Sequence, residues 1–254
     1  RVLSSIHDVE ASAWDRLAGD DDPFIEHAFL ATLEDSGSVG LEAGWEPRHL
    51  TLWEGDRLVG AAPMYRKSHS YGEFIFDWAW ADAAARAGIA YFPKLLSMVP
   101  VTPATGRRLL WEPGRDAGEI SSELLSASVE LAKSEGVSSV HWLFLRDEEI
   151  KSCEGSRGFM KRLSQQFHWQ NAGYGDFSDY LKAFRSSMRK QVRRERRRAQ
   201  ASGLEIGVQT GDELSAVDWE ALYLMYRVGC ARYGSPDSLT EDFFRLARER
   251  LAHR

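Results

Sequence analysis

The chain has 254 residues, of which 43% are hydrophobic and 28% are charged, and its formal net charge is −6 at pH 7. These proportions predict one large or two ordinary domains with a buried core, and they exclude a largely disordered chain. Cys153 and Cys230 are isolated in the sequence, so we expect no disulfide framework and a cytoplasmic location. The histidines lack metal-ligand spacing, so we expect no metal site. No apolar run is long enough to cross a bilayer, so we expect no membrane span.

The first quarter of the chain predicts an α/β protein that begins with antiparallel strands. Residues 2–6 are typical of a short strand, and residues 9–18 and 24–33 are typical of amphipathic helices. Residues 48–53 and 58–66 are two apolar strands separated by four turn-forming residues, which predicts a hairpin.

Residues 73–82, EFIFDWAWAD, alternate aromatic side chains with smaller or polar ones. A period of two over this length predicts a β-strand, and an aromatic ladder of this kind is usually a buried one. Asp77 does not fit a purely structural role, because a buried carboxyl needs a partner or a raised pKa.

The next segment predicts a strand, a helix and a parallel strand. Residues 95–101 are apolar and contain a proline that is incompatible with a helix, and residues 102–106 form a polar loop. Asp116 and Glu119 form a capping-box pattern for a helix through Lys133, and residues 138–145 are an apolar strand, in which His141 is interpreted as a core residue. A right-handed crossover would make the two strands parallel.

A basic stretch at residues 179–202 is the strongest charge feature. Between Lys182 and Arg198 it has nine Lys or Arg and one acid. The apolar positions, Leu181, Phe184, Met188 and Val192, predict one helix docked along that stripe, with Arg185, Arg189 and Arg193 flanking it. A solvated basic face is the alternative, but the preference for arginine over lysine favours bidentate contacts to phosphate or carboxylate. Predicted strands at residues 165–173 and 204–209 flank this helix, and residues 216–233 and 239–251 predict two further helices.

Several segments resemble a known family. They are PFIEHAFLATLEDSGSVG, the FDWAWAD to TPATG region, and FHWQNAGYGDFSDYLKAFRSSMRKQVRRERR. These look like the Fem-like predicted N-acyltransferases of peptidoglycan biosynthesis or recognition, a bacterial group within the wider GNAT superfamily, and the resemblance covers nearly the whole chain.

The resemblance implies a GNAT-like mixed sheet with flanking helices at residues 1–174, followed by the beginning of a second GNAT-like domain at residues 175–254 that opens with the basic helix. It also implies an acyl or aminoacyl transferase whose donor is acyl-coenzyme A or aminoacyl-tRNA and whose acceptor is an amine, of a cell-wall precursor or another phosphorylated molecule. The chain departs from ordinary acetyltransferases before the Asp116 helix, where PGRDAG replaces the glycine-rich pyrophosphate loop.

The candidate site combines proton acceptors with anion-binding groups. Direct attack of an amine on an activated carbonyl needs positioning, an oxyanion donor and a proton acceptor, but no covalent nucleophile. Asp77 and His168 are the candidate acceptors, with core packing as the alternative for His168. The candidate substrate-binding residues are Trp80, Tyr91, Lys94, Thr102, Thr105, Gly106 and Arg107, and the arginine row Arg185, Arg189 and Arg193. Because polar groups interrupt two otherwise apolar strands near their ends, we expect one cleft to be lined by Asp77, Trp80, Tyr91, Lys94, Thr102 and Arg107.

Two other functions remain open. The basic helix could bind nucleic acid, tRNA in particular, although the acidic chain, with a pI of about 5.7, is unlike most nucleic-acid binders. The chain could also be a catalytically degenerate GNAT fold that binds without reacting.

Overall fold

The computed structural model describes residues 1–156 and 158–254, and in that part of the chain it is an α/β protein with two four-stranded sheets. The strands are β1 (Val2–Leu3), β2 (Trp45–Pro47), β3 (His49–Glu54), β4 (Arg57–Ala62), β5 (Tyr65–Lys67), β6 (Lys94–Ser97), β7 (Leu110–Trp111) and β8 (Val140–Trp142). The helices are α1 (Ala11–Ala18), α2 (His27–Asp35), α3 (Trp78–Arg86), α4 (Ala117–Ser134), α5 (Asp147–Gly155), α6 (Phe177–Lys182), α7 (Ser186–Gln200), α8 (Ala216–Tyr233) and α9 (Glu241–Leu251).

The predicted hairpin is confirmed, and it links the two sheets. Strand β3 pairs antiparallel with β4, and β2 pairs antiparallel with β5. Between the two pairs, the Arg48 amide donates to the Met64 carbonyl at 2.8 Å, so the ladder continues from one sheet to the other. The first sheet has the order β1-β3-β4-β7 and the second has β2-β5-β6-β8. Pro63 has no amide hydrogen to continue a ladder, and its carbonyl accepts a bond of 2.8 Å from Ser97 Oγ.

The predicted parallel strand pair with a helix between its members is also confirmed. β6 and β8 are parallel, with Leu95 opposite Val140, and α4 lies between them in sequence. Asp116 caps α4 by accepting from the amides of Gly118 at 2.8 Å and Glu119 at 3.1 Å. The buried face of α4 includes Leu124, which packs on the same core cluster as residues of β3, β4 and β6.

The last two helices belong to the same unit as both sheets, which comprises Arg1–Lys161 and Thr210–Arg254. α9 lies against α2, where Phe243 meets Phe29 edge to face at 6.2 Å and Arg250 forms an ion pair with Asp35 at 2.6 Å. The Thr240 hydroxyl donates to the Ser36 carbonyl at 2.8 Å, which fixes the start of α9. Both helices were expected from the sequence and are confirmed.

Arg162–Gln209 forms the second unit, which contains α6 and α7. The basic stretch predicts one continuous helix, and this is wrong, because Arg185 has an extended backbone and caps α7. The predicted strands at residues 165–173 and 204–209 are also wrong, since the structure gives these described residues no strand partner. Alternating apolar residues predict a strand only where a neighbouring strand completes the ladder. The boundary proposed at residue 175 stays a prediction.

The strand predicted at residues 73–82 is wrong as well. Residues 73–77 form an irregular segment and α3 begins at Trp78, with Asp77 at the helix start. The aromatic side chains are not a buried ladder, because Phe76 and Trp80 are exposed and α3, all of which is described, has no buried residue. The chain instead turns at Phe74 and Phe76, whose backbones are left-handed, with φ of 57° and 51°.

None of the described helices combines the length and apolarity that a bilayer crossing requires.

Candidate functional site

Lys94 organises a buried cluster of charged side chains at the adjoining ends of β5 and β6. Its Nζ donates to Asp77 Oδ2 at 2.7 Å, Glu73 Oε2 at 2.8 Å and Ser70 Oγ at 3.0 Å. These three bonds match the three hydrogens of an ammonium group, and none of the Lys94, Glu73 and Asp77 side chains is exposed to solvent. One lysine on a strand therefore holds the whole irregular segment that precedes α3.

Asp77 is kept as a carboxylate by its donors. Burial alone would raise the pKa of Asp77, but hydrogen bonds from Lys94, Tyr91 and Ser70 outweigh it and lower that pKa. The Tyr91 hydroxyl contributes one of these bonds, at 2.7 Å to Oδ2. The structure thus brings together three sequence-predicted site residues, Asp77, Tyr91 and Lys94. A carboxyl with a lowered pKa is a weak proton acceptor at neutral pH.

Glu73 has the opposite character. Burial raises the pKa of Glu73 to about 6, although the Lys94 ammonium opposes the shift. Its Oε1 is buried and has no hydrogen-bond donor among the described residues, and the same is true of Asp77 Oδ1. Buried polar atoms without partners are rare because they cost free energy. A carboxyl that titrates near neutrality and keeps a free oxygen is suited to accept a proton.

Lys67 completes the cluster from the neighbouring strand. Its Nζ lies 3.8 Å from the centroid of the Trp45 ring and donates to the Tyr71 carbonyl at 3.2 Å. Burial lowers the pKa of Lys67 to about 7, with the Lys94 charge adding to the shift and Glu73 opposing it. His69 Nδ1 lies 3.3 Å from Lys67 Nζ. The pKa of His69 is lowered by its own burial and by the Lys67 charge. The cluster therefore has two groups that titrate near neutral pH.

An aromatic surface lies on the segment that Lys94 holds. The side chains of Tyr71, Phe74, Phe76, Trp78 and Trp80 are all exposed, within ten residues of sequence. The rings of Tyr71 and Trp78 are in contact, with centroids 5.1 Å apart. Exposed aromatic rings on the same segment as buried ionisable groups can bind the apolar faces of a substrate.

The other predicted residues of the first unit make their contacts elsewhere. Arg107 lies near α1 and β7, where its Nη1 donates to the Ala18 carbonyl at 3.3 Å and its guanidinium lies 4.5 Å from the Trp111 ring centroid. Thr102 Oγ1 donates to the Pro100 carbonyl, and the Gly106 amide donates to the Phe144 carbonyl at 3.0 Å. Thr105 and Trp80 are exposed. Their convergence on one cleft stays a prediction.

The candidates in the second unit are His168 and the arginine row. His168 is exposed, with Nε2 3.1 Å from Gln166 Oε1. Arg189 Nη1 donates to the Phe184 carbonyl at 2.6 Å, which ties the start of α7 to the end of α6. Arg185 and Arg193 are exposed. Within its own unit α7, described over its full length, has no buried residue, and the predicted docking along its apolar stripe stays a prediction.

Lys67, Ser70, His69 and Glu73 were missed by the sequence reasoning. Glu73 lies in the same EFIFDWAWAD stretch as Asp77 and carried the same signal of an acid among aromatic residues. Lys67 follows a predicted apolar strand directly, and its burial depends on β6 pairing with β5, which a single sequence does not show.

Comparison with known proteins assigns the chain to a family. The model of the FemAB-like family, described as peptidoglycan biosynthesis/recognition, matches residues 5–254. The chain belongs to the FemAB-like family. No curated protein matches it. Among solved structures, this FemAB-like chain is similar to an acetyltransferase of Trypanosoma brucei at 16% identity and a TM-score of 0.38, over 67% of this chain and 97% of that one. Family membership thus rests on a match over almost the whole chain.

Proposed function

We propose that this FemAB-like chain transfers an acyl or aminoacyl group from an activated donor to an amine of a cell-wall precursor or another phosphorylated acceptor. The observation that carries the proposal is Glu73, a buried carboxyl with a pKa of about 6 whose Oε1 receives no hydrogen bond from the described part of the chain. A reaction that consumes a protonated amine needs such a group, because the amine must lose protons before and after it attacks.

The reaction requires one bond to form and one to break. The amine nitrogen attacks the carbonyl carbon, the new C–N bond forms, and the bond from carbon to the donor oxygen or sulfur breaks. The ammonium group first loses one proton to solvent. Glu73 takes the proton that the nitrogen loses on attack and passes it to the leaving oxygen or sulfur. Asp77, which also accepts a bond from the Tyr91 hydroxyl, holds Lys94 beside Glu73, and Lys94 limits how far the Glu73 pKa rises.

Asp77 and His168 remain proposed proton acceptors. The lowered pKa of Asp77 favours a positioning role over proton transfer. His168 is exposed, so a substrate amine can reach its imidazole. Comparison of Glu73→Gln, Asp77→Asn and His168→Gln in one assay separates the three.

Access to Glu73 requires the segment of residues 70–77 to move, because the cluster is buried. Phe74 and Phe76 have left-handed backbones, which cost about 1–3 kcal/mol each for residues other than glycine. The bonds from Lys94 to this segment hold that conformation in place. We infer that bound substrate replaces part of these contacts and opens the segment.

The proposed donor is aminoacyl-tRNA in preference to acyl-coenzyme A. The resemblance to acetyltransferases implies that the pyrophosphate of coenzyme A would bind at the start of α4. There, Asp116 already accepts hydrogen bonds from the amides of Gly118 and Glu119. An incoming phosphate would meet this carboxylate and lose the free amides that bind anions. The basic residues of α7, together with Arg185 just before it, would bind the phosphates of a tRNA.

A second candidate function is nucleic-acid binding without catalysis. α7 has seven Lys or Arg and one acid, Glu195, whose Oε1 accepts from Gln191 rather than from an arginine. Its exposed cations would attract a phosphate backbone. This function predicts RNA binding by the chain with no acyl transfer in any combination of donor and acceptor.

The GNAT-like character, the boundary at residue 175 and the cytoplasmic location belong to this proposal. A GNAT-like reading is supported by the parallel pair β6 and β8 with α4 between them. The bacterial, peptidoglycan-directed role is supported by the family description.

The proposal is tested by incubating the full chain with either aminoacyl-tRNA or acetyl-coenzyme A and a panel of primary amines. Mass spectrometry detects the amide product. We expect product with at least one donor, and its loss in Glu73→Gln. Glu123→Gln, an exposed acid on α4, is the matched control. Binding of tRNA with no product in any mixture would support the second candidate instead.

A further inference from the structure

Helix α8 has two apolar faces, and the described residues pack against one of them. Tyr223 and Tyr226 contact Phe244 of α9, with ring centroids 5.4 Å and 5.6 Å apart. The Tyr226 hydroxyl also accepts from the Leu239 amide at 3.1 Å. This face joins α8 to the rest of its unit.

The opposite face is an exposed apolar stripe. Its members Val217, Leu224 and Val228 are 71%, 60% and 68% exposed, and Ala221 lies between them. The positions follow i, i+4, i+7 and i+11, which is the spacing of a coiled-coil seam. Large apolar side chains arranged at this spacing on one exposed helix face mark an interaction surface.

The charges beside this stripe are divided along the helix. Asp218 and Glu220 lie near its start, and Arg227 and Arg232 lie near its end. In the seam register set by Val217 and Ala221, Glu220 and Arg227 occupy equivalent flanking positions on one side, and Asp218 and Arg232 do so on the other. Two copies of this helix packed in parallel would place Arg227 opposite Arg232 of the other copy and leave the acids without an opposite charge. Two copies packed antiparallel would place each acid opposite an arginine.

We propose that the exposed stripe of α8 pairs with the same stripe of a second copy of this chain, antiparallel, about a two-fold axis near Leu224. A two-fold interface brings the same surface of both copies together, so the surface must be complementary to itself. The stripe meets this condition twice, in its apolar seam and in its divided charges. In an antiparallel pair the axis passes through the midpoint of two positions that face each other. The midpoint of Glu220 and Arg227 and that of Asp218 and Arg232 both lie within about one residue of Leu224.

The dimer should be weak. α8 has 18 residues and is therefore about 27 Å long. A single pair of helices of this length buries less than roughly 1,200 Å² of accessible surface, and many complexes with interfaces that small are transient. Arg227 also lies 3.5 Å from Asp237 in its own chain, an exposed pair that competes only slightly with a partner carboxylate.

The first test is sedimentation of the full chain over a concentration range of about 1 to 500 μM, chosen to bracket the micromolar affinity of a weak complex. We expect the mass to rise toward twice that of one chain. Val228→Glu should keep the mass at one chain throughout, while Leu41→Glu, at a site 73% exposed outside α8, should leave self-association unchanged. A monomer at every concentration, or a dimer that Val228→Glu leaves intact, would overturn the proposal.

The second test uses the charges. Glu220→Arg and Arg227→Glu should each weaken dimerisation at low salt, because each places like charges together across the two-fold axis. The double variant should recover most of the lost affinity, since the pair is restored with its signs exchanged. Failure of the double variant to recover, with both single variants folded by circular dichroism, would exclude the antiparallel register.

Discussion

Lys67 and Lys94 lie directly opposite each other on the paired strands β5 and β6, and neither side chain is exposed. Like charges in facing positions of a sheet destabilise it. The fold resolves the conflict asymmetrically, because Lys94 is bonded to two carboxylates whereas burial lowers the pKa of Lys67 to about 7. The pair therefore loses one of its two positive charges near neutral pH.

This pair predicts a pH dependence of stability. The pKa of Lys67 is about 7 in the fold and returns to its ordinary value of 10.5 on unfolding, so the unfolded state binds more protons between these values. The free energy of unfolding should therefore rise with pH from about 7 to 10, by up to roughly 1.4 kcal/mol per unit. Lys67→Met should flatten this rise in urea denaturation at pH 7, 8 and 9. An unchanged slope would show that Lys67 keeps its proton.

Removal of the Lys94 ammonium should destabilise the protein strongly. Lys94→Met leaves Glu73 and Asp77 buried without their cation, which costs about 3–5 kcal/mol. Lys133→Met, which removes an exposed ion pair with Glu130, should cost under about 1 kcal/mol. Both are measured by urea denaturation. Addition of Glu73→Gln and Asp77→Asn to Lys94→Met should recover part of the loss, and equal effects of the two lysine variants would contradict the buried cluster.

The cap of α4 has its own test. Asp116→Ala should destabilise the helix start by about 1 kcal/mol, because the amides of Gly118 and Glu119 lose their acceptor. Asp116→Ser should retain most of the stability, since serine caps comparably. Thermal unfolding measures both. If Asp116→Ala alone creates binding of coenzyme A, the carboxylate is what excludes the pyrophosphate; if serine and alanine lose equal stability, capping is not its role.

The arginine row predicts unequal effects on binding of tRNA. Arg189 is half-buried and spans α6 and α7, whereas Arg198 is exposed. Arg189→Ala should weaken the affinity for tRNA by about one to two orders of magnitude, since a shielded charge-assisted contact contributes roughly 1.5–3 kcal/mol. Arg198→Ala should cost under about 1 kcal/mol, and Arg189→Lys should restore only part. Equal losses for the two alanine variants, both abolished by moderate salt, would indicate a diffuse basic surface.

Much of the fold could be predicted from local signals. The hairpin, the Asp116 cap, the parallel crossover and the last two helices each have a turn, a cap or a helical period in the sequence, and the structure has all of them. The errors occur where tertiary contacts override the pattern. Phe74 and Phe76 alternate as in a strand, but the bonds from Lys94 to residues on both sides of them stabilise a turn.

The site could be predicted only in part for the same reason. Asp77, Tyr91 and Lys94 were expected near one another because polar residues interrupt apolar segments, and the structure joins them. Glu73 and Lys67 become notable only through burial, which moves the pKa values of both toward neutrality. Burial depends on strand pairing between residues that are far apart in sequence, and one sequence does not contain that information.

The most direct test of the central claim is the pH dependence of acyl transfer by the wild-type chain and by Glu73→Gln. If Glu73 accepts the proton, kcat/KM of the wild type should fall tenfold per unit below a pH of about 6, as its carboxyl becomes protonated. Glu73→Gln should lose about 10² to 10⁴ in rate, the usual contribution of a general base, and should lack that limb of the profile. Activity of Glu73→Gln within about twofold of wild type, with the same acid limb, would contradict the account.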